Sequence, residues 1–120
     1  MLERIGEISL EVIKLLDLPL SEATPVYIGV TNIAHIVSEH EYEYYRYFDK
    51  IPLILSAPDY VRVKEDDGSI EYIKSFGKYV KLAVRVAGDG NYYARSIYRI
   101  RDNVVKRMVK NKTFKPLTKP

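Results

Sequence analysis

Two histidines and four cations are the residues of this chain whose types can do chemistry: His35, His40, Lys81, Arg85, Arg95 and Arg99. Histidine titrates near neutrality, so it serves as a general acid or base. His35 lies four residues before Glu39, on the polar side of a helical stretch. His40 falls on the apolar stripe or at the end of the same helix. Helical histidines are commonly structural, but a pair bracketing one turn near a basic face is a catalytic candidate. The pair does not share one helix face, and no third ligand stands nearby, so no metal site is expected.

The cations belong to a hairpin. Across residues 78–87, Val80, Leu82, Val84 and Val86 alternate with Tyr79, Lys81, Ala83 and Arg85. Gly88-Asp89-Gly90 reads as a three-residue loop. That loop places Arg85 opposite Tyr93, Ala83 opposite Arg95 and Tyr79 opposite Arg99, while Val84 faces Ala94 and Val80 faces Tyr98. A two-residue loop would mix the faces. In this register Lys81, Arg85, Arg95 and Arg99 share one face with Tyr79 and Tyr93. Guanidinium groups match phosphate oxygens and stabilise charge developing on a phosphorane. The competing reading is a wet strand face whose cations block edge-to-edge pairing.

The elements that must position these groups follow from periodicity. Residues 5–16 carry apolar side chains at helical spacing and predict a short amphipathic helix ended by Pro19. Residues 25–30 predict a strand. Thr31 or Asn32 caps the next helix, and residues 41–56 predict another, with Pro52 breaking it near Lys50. Residues 60–64 and 69–76 predict strands joined at Asp66-Asp67-Gly68. The basic hairpin and a helix at Asp102–Lys110 complete the pattern. The expected fold is α+β: two or three N-terminal helices packed on a four-stranded antiparallel meander, with a C-terminal helix or tail. Residues 1–110 form one domain, and 111–120 a basic flexible tail.

Composition narrows the class. The chain has 120 residues and no cysteine, which excludes a disulfide framework, a thiolate nucleophile and thiolate zinc ligands. No apolar run approaches the roughly 20 residues that span a bilayer, and no leader peptide is evident, so a cytoplasmic protein is expected. From residue 101 onward the net charge is +6, leaving −3 for the rest. A basic segment on an acidic body suggests a polyanion partner. Eleven tyrosines and no tryptophan suit stacking on bases as well as ordinary strands. There is no phosphate-binding glycine loop and no serine nucleophile elbow, and Asp66-Asp67 sits in a solvated turn.

A strand, then Thr31-Asn32-Ile33-Ala34-His35-Ile36-Val37-Ser38-Glu39-His40, a second helix, Pro58-Asp59, the meander, Val84-Arg85-Val86 and Arg95-Ser96-Ile97-Tyr98 follow one another. This order resembles the phage-associated branch of the barnase–EndoU–colicin–RelE-like nucleases over residues 25–101. The resemblance implies two helices on a four-stranded antiparallel sheet, with the active face turned away from the helices. It implies RNA cleavage without a metal or other cofactor, the 2′-hydroxyl attacking the adjacent phosphate. His35 or His40 matches the helix histidine, Arg85 the strand arginine, and Ser96 or Tyr98 the polar residue of the last strand. Lys81, Arg95, Arg99, Tyr79 and Tyr93 would bind nucleic acid. Implied partners are RNA, tRNA among the candidates, and an inhibitor or immunity protein, with oligomeric state open. Two departures stand out. The predicted register turns Ser96 and Tyr98 toward the apolar face, so either the last strand carries a bulge or one of them is structural. The helical wheel favours exposed His35, while the basic face is nearer His40. The alternatives are a non-catalytic nucleic-acid-binding or phage-assembly module of the same fold, and a homodimer burying the Tyr42–Tyr47 cluster.

Overall fold

The computed structural model describes residues 2–117. Its first element corrects the sequence expectation. Leu2–Ile8 is a strand, β1, paired antiparallel with β2 (Thr24–Gly29). A bulge between Arg4 and Gly6 turns both Ile5 and Ile8 into the core. Inward residues three apart imitate a helical stripe, which explains the helix expected from residue 5. The true helix, α1 (Leu10–Leu16), starts where the Ser9 hydroxyl accepts the Val12 N–H at 3.2 Å.

Helix α2 (Val30–Tyr47) begins at Gly29, whose N–H donates to Asn32 Oδ1 at 2.9 Å. Its backbone leaves helical geometry at His40 (φ −139°, ψ 53°), so two helical stretches meet there. A 3-10 turn (Phe48–Lys50) then leads to α3 (Ile51–Ser56). Pro52 sits in its first turn, where a missing N–H costs nothing.

Four strands follow: β3 (Tyr60–Val63), β4 (Ile70–Ser75), β5 (Tyr79–Val86) and β6 (Tyr92–Ile100). After them come α4 (Asp102–Lys110) and β7 (Lys115–Pro116). The sheet order is β1-β2-β6-β5-β4-β3-β7. The expected four-stranded antiparallel meander is therefore only the middle of a larger, mixed sheet of seven strands. β1 and β7 extend its two ends, and β2 joins β6 in parallel. That parallel contact spans only Val26↔Tyr92 and Tyr27↔Tyr93. Helix α2 also packs against β6.

Each sheet face has its own cover. One face carries Ile70, Tyr72, Val80, Leu82, Val84, Ala94 and Ile97 into the main core, with Ile8, Val12, Ile36, Ile54 and Leu55. The other face is divided. At one end Ile73 packs with Val105 of α4 and Phe114, flanked by Tyr60, Tyr79, Ile100 and Met108. The other end is open. Residues 111–117 are not a free tail: Phe114 is buried and β7 pairs with β3. The last residues of the expected tail, 118–120, lie outside the described residues.

Candidate functional site on the open sheet face

The geometry of this face turns on one residue. Arg85↔Tyr93 and Val84↔Ala94 pair as the loop length predicts. Ala83 then pairs with Ser96, not Arg95. Arg95 is the extra residue of a β-bulge, and beyond it the alternation of β6 reverses. Lys81 consequently faces Tyr98, Val80 faces Arg99 and Tyr79 faces Ile100. Ser96 and Tyr98 move onto the face of Lys81 and Arg85, while Arg99 moves off it. The expected four-cation face keeps Lys81, Arg85 and Arg95 and loses Arg99.

These groups line a shallow cleft of about 220 Å³ with His35, Lys64, Asp67, Ser69, Glu71 and Ala83. Lys64, Lys81, Arg85 and Arg95 outnumber the carboxylates Asp67 and Glu71, so the cleft is cationic. Its floor is an ion-pair network that sequence reading missed. Glu71 is only 3% exposed. Its Oε1 accepts Arg62 Nε at 2.6 Å, and its Oε2 lies 3.0 Å from Lys81 Nζ. Arg62 also sits 5.0 Å from the Phe114 ring centroid, so the C-terminal segment braces the floor from behind. The signal was available: the turn at Asp66-Asp67-Gly68 sets Arg62 directly opposite Glu71, an opposite-charge cross-strand pair.

Lys81 extends toward Tyr98, its ammonium 5.0 Å from the ring centroid. Burial works against its charge, but hydrogen bonding to Tyr98 and the Glu71 carboxylate outweigh it. The Lys81 pKa is raised above the ordinary lysine value. Arg85 is held loosely, Nη1 lying 3.7 Å from Asp67 Oδ2. Asp67 accepts hydrogen bonds from Ser69, its N–H at 2.9 Å, which hold its carboxyl below the usual range.

Helix α2 supplies the histidines along the β6 side. His40 stacks on Tyr98, ring centroids 4.8 Å apart and planes 21° from parallel. His35 is exposed at the cleft wall, Nε2 3.5 Å from Glu39 Oε1. The departure from helical geometry at His40 falls where that side chain meets β6. Tyr79 and Tyr93, expected beside the cations, keep their places on this face, Tyr93 opposite Arg85, but neither lines the cleft. Tyr79 packs by Tyr60 at the edge of the α4 cluster, centroids 6.5 Å apart. Tyr93 donates its hydroxyl to Asp89 Oδ2 at 2.5 Å, at the hairpin end. Arg99 points to the far side of β6, 3.6 Å from Glu43 Oε2 and 5.4 Å from the Tyr42 ring. Among the described residues no three His, Asp or Glu converge to hold a metal ion. Among them, too, no helix is long and apolar enough to cross a membrane.

Fold and site together define a small protein built mainly on a seven-stranded mixed sheet, which presents a cationic cleft on an open sheet face with histidines along one wall. A protein of that class is equipped to hold an anionic substrate. The chain belongs to the family described as phage-Barnase-EndoU-ColicinE5/D-RelE like nuclease3, whose model matches residues 3–107. That span takes in β1, α1 and most of α4 as well as the meander. No curated protein and no solved structure matches the chain.

Proposed function

We propose that this member of a nuclease family is a ribonuclease that cuts RNA in the cleft between α2 and the β4–β6 face, without a metal ion. The observation that carries the reading is the convergence produced by the bulge. Ser96 and Tyr98 stand beside Lys81 and Arg85 on one wet face, and His35 and His40 flank them from α2.

The chemistry follows from the groups present. A base takes the proton of a ribose 2′-hydroxyl, whose oxygen attacks the adjacent phosphorus. The bond from phosphorus to the 5′-oxygen breaks, and an acid protonates that oxygen. The products are a 2′,3′-cyclic phosphate end and a free 5′-hydroxyl, so no co-reactant is needed. His35, an exposed imidazole beside Glu39, is the base of this proposal. Tyr98 lies next to the Lys81 ammonium and is the donor to the leaving oxygen, with His40 stacked against its ring to orient it. Arg85 exchanges its loose contact with Asp67 for the phosphate. Lys81, kept charged by Glu71, adds a second fixed cation for the pentacoordinate phosphorus.

The test is incubation of purified protein with total RNA and with a DNA oligonucleotide in EDTA, beside Arg85→Ala. Cleavage of RNA alone to cyclic-phosphate ends is expected, with the variant slower by about 10²-fold or more. Intact RNA, or equal cutting by the variant, would sink the proposal. Salt-sensitive RNA binding without product would instead favour a non-catalytic module.

A further inference from the structure

We infer a second binding site, for single-stranded RNA flanking the scissile phosphate, on the far side of β6 from the cleft. It rests on the RNA-cleaving reading above and extends it from one phosphate to a length of strand.

The bulge that brings Tyr98 into the cleft sends its neighbour Arg99 into a separate hollow. This hollow, about 670 Å³, lies where the end of β6 meets the second stretch of α2 and the start of α4. Lys78, Arg99 and Arg101 line it and outnumber the carboxylates Glu43 and Asp102 there, and all three cations are exposed. Arg99 has a partial partner in Glu43. Among the described residues Lys78 and Arg101 have no carboxylate within ion-pair distance. Tyr42 (60% exposed) lies beside Arg99, and three residues on along α2 Tyr45 (69%) shares with it a separate hollow lined also by Glu41 and Arg46; these are the most exposed aromatic rings of the described chain. Both are braced rather than loose. Tyr42 lies against the Arg99 guanidinium at 5.4 Å, and Tyr45 meets Tyr44 edge-on at 5.2 Å.

Cations that follow a backbone, beside aromatic faces open to solvent, are what sequence-tolerant single-strand binding requires. A duplex offers no unstacked base to such rings. Continuity argues for the same RNA molecule in both places. From Tyr98 to Arg101 the strand advances about 10 Å. A chain leaving the cleft past the His40–Tyr98 stack therefore enters the hollow within a few nucleotides.

The test uses a fluorescent 2′-O-methyl RNA 12-mer, which cannot be cleaved because it lacks a free 2′-hydroxyl. Affinity is read by anisotropy at several salt concentrations for Lys78→Ala/Arg101→Ala, for Tyr45→Ala, and for Lys106→Ala/Lys110→Ala as a control of equal charge. The first variant should weaken binding about tenfold and flatten the slope of log affinity against log salt by about 1.4, the value for two phosphate contacts on a single strand. Tyr45→Ala should weaken it about tenfold with the slope unchanged. The α4 control should change binding less than threefold. Wild-type affinity in the first two variants, or equal loss in the control, overturns the site. So does a hairpin duplex bound as tightly as the single strand and insensitive to Tyr45→Ala, or a reversal variant, Lys78→Glu/Arg101→Glu, that stays folded and still binds. If the 12-mer behaves as expected while natural RNA stays intact, cleavage fails and the site stands. If RNA is cut but all variants bind alike, the site alone fails.

Discussion

Glu71 is the residue whose loss should be felt most at the site and in the fold together. Its carboxylate is shared between Arg62 and Lys81 and is almost wholly withdrawn from water. Glu71→Ala strands two cations on one sheet face with nothing between them. Removing one partner of a buried ion pair costs about 3–5 kcal/mol. Water still reaches the cations, whose side chains keep 12% exposure at Lys81 and 19% at Arg62, which reduces the penalty. We expect a loss of about 2–4 kcal/mol at neutral pH, or roughly 10–20 °C in Tm. The loss should depend on pH in one direction. The folded pKa of Lys81 lies above the ordinary 10.5, so its contribution is complete below that value and disappears as pH rises through the folded one. Without Glu71 the folded pKa falls, and the variant has less to lose. The gap between wild type and variant should therefore narrow as pH rises from neutrality toward about 11. Urea unfolding across that range measures it. A variant within about 0.5 kcal/mol of wild type, or a gap that does not change with pH, would refute the reasoning.

Three further outcomes follow from packing. Gly6→Ala should lower stability by about 1–3 kcal/mol in urea titration, because its φ is +154° and an added Cβ would come 2.7 Å from Leu55 Cδ1. Tyr72→Phe should leave Tm unchanged or raise it slightly: the Tyr72 hydroxyl is buried without a partner among the described residues, and burial pushes its pKa up. A fall of more than about 1 kcal/mol would mean that the hydroxyl is satisfied in solution. Phe114→Ala should cost about 3 kcal/mol or more and raise amide exchange at the β3–β7 contact, since Phe114 closes the α4 cluster and braces Arg62; unchanged exchange at Val61 would count against that role.

Local signals were legible in the sequence, and long-range ones were not. Two turns, Asp66-Asp67-Gly68 and Gly88-Asp89-Gly90, fixed the four middle strands, because alternation and turn chemistry both act over a few residues. The boundary at His40 and the extent of α4 were readable for the same reason. β1 was not, because its bulge spaces Ile5 and Ile8 as a helix would. The parallel β2–β6 contact rests on two residue pairs about 65 positions apart, and nothing local encodes it. β7 is too short to show any pattern. At the site, Lys81 and Arg85 could be placed on one face by register alone. Ser96, Tyr98 and Arg99 could not, because the bulge at Arg95 carries no glycine to announce it. Glu71 was hidden differently: a single acidic residue in a mixed strand looks solvated until its cross-strand partners are paired.

That bulge has a consequence for how the molecule can change over generations. If β6 paired with β5 as an unbroken ladder through Arg95, with Arg95 opposite Ala83, every later side chain of β6 would exchange faces. Tyr98 would swing toward the core and Ile97, now fully buried, toward water. Reactive groups and core residues are thus written in alternation on a single strand, downstream of the same irregularity. A slip that dismantled the cleft would expose apolar surface in the same step. Lineages can alter the cleft quietly by replacing a side chain, but not by shifting the strand.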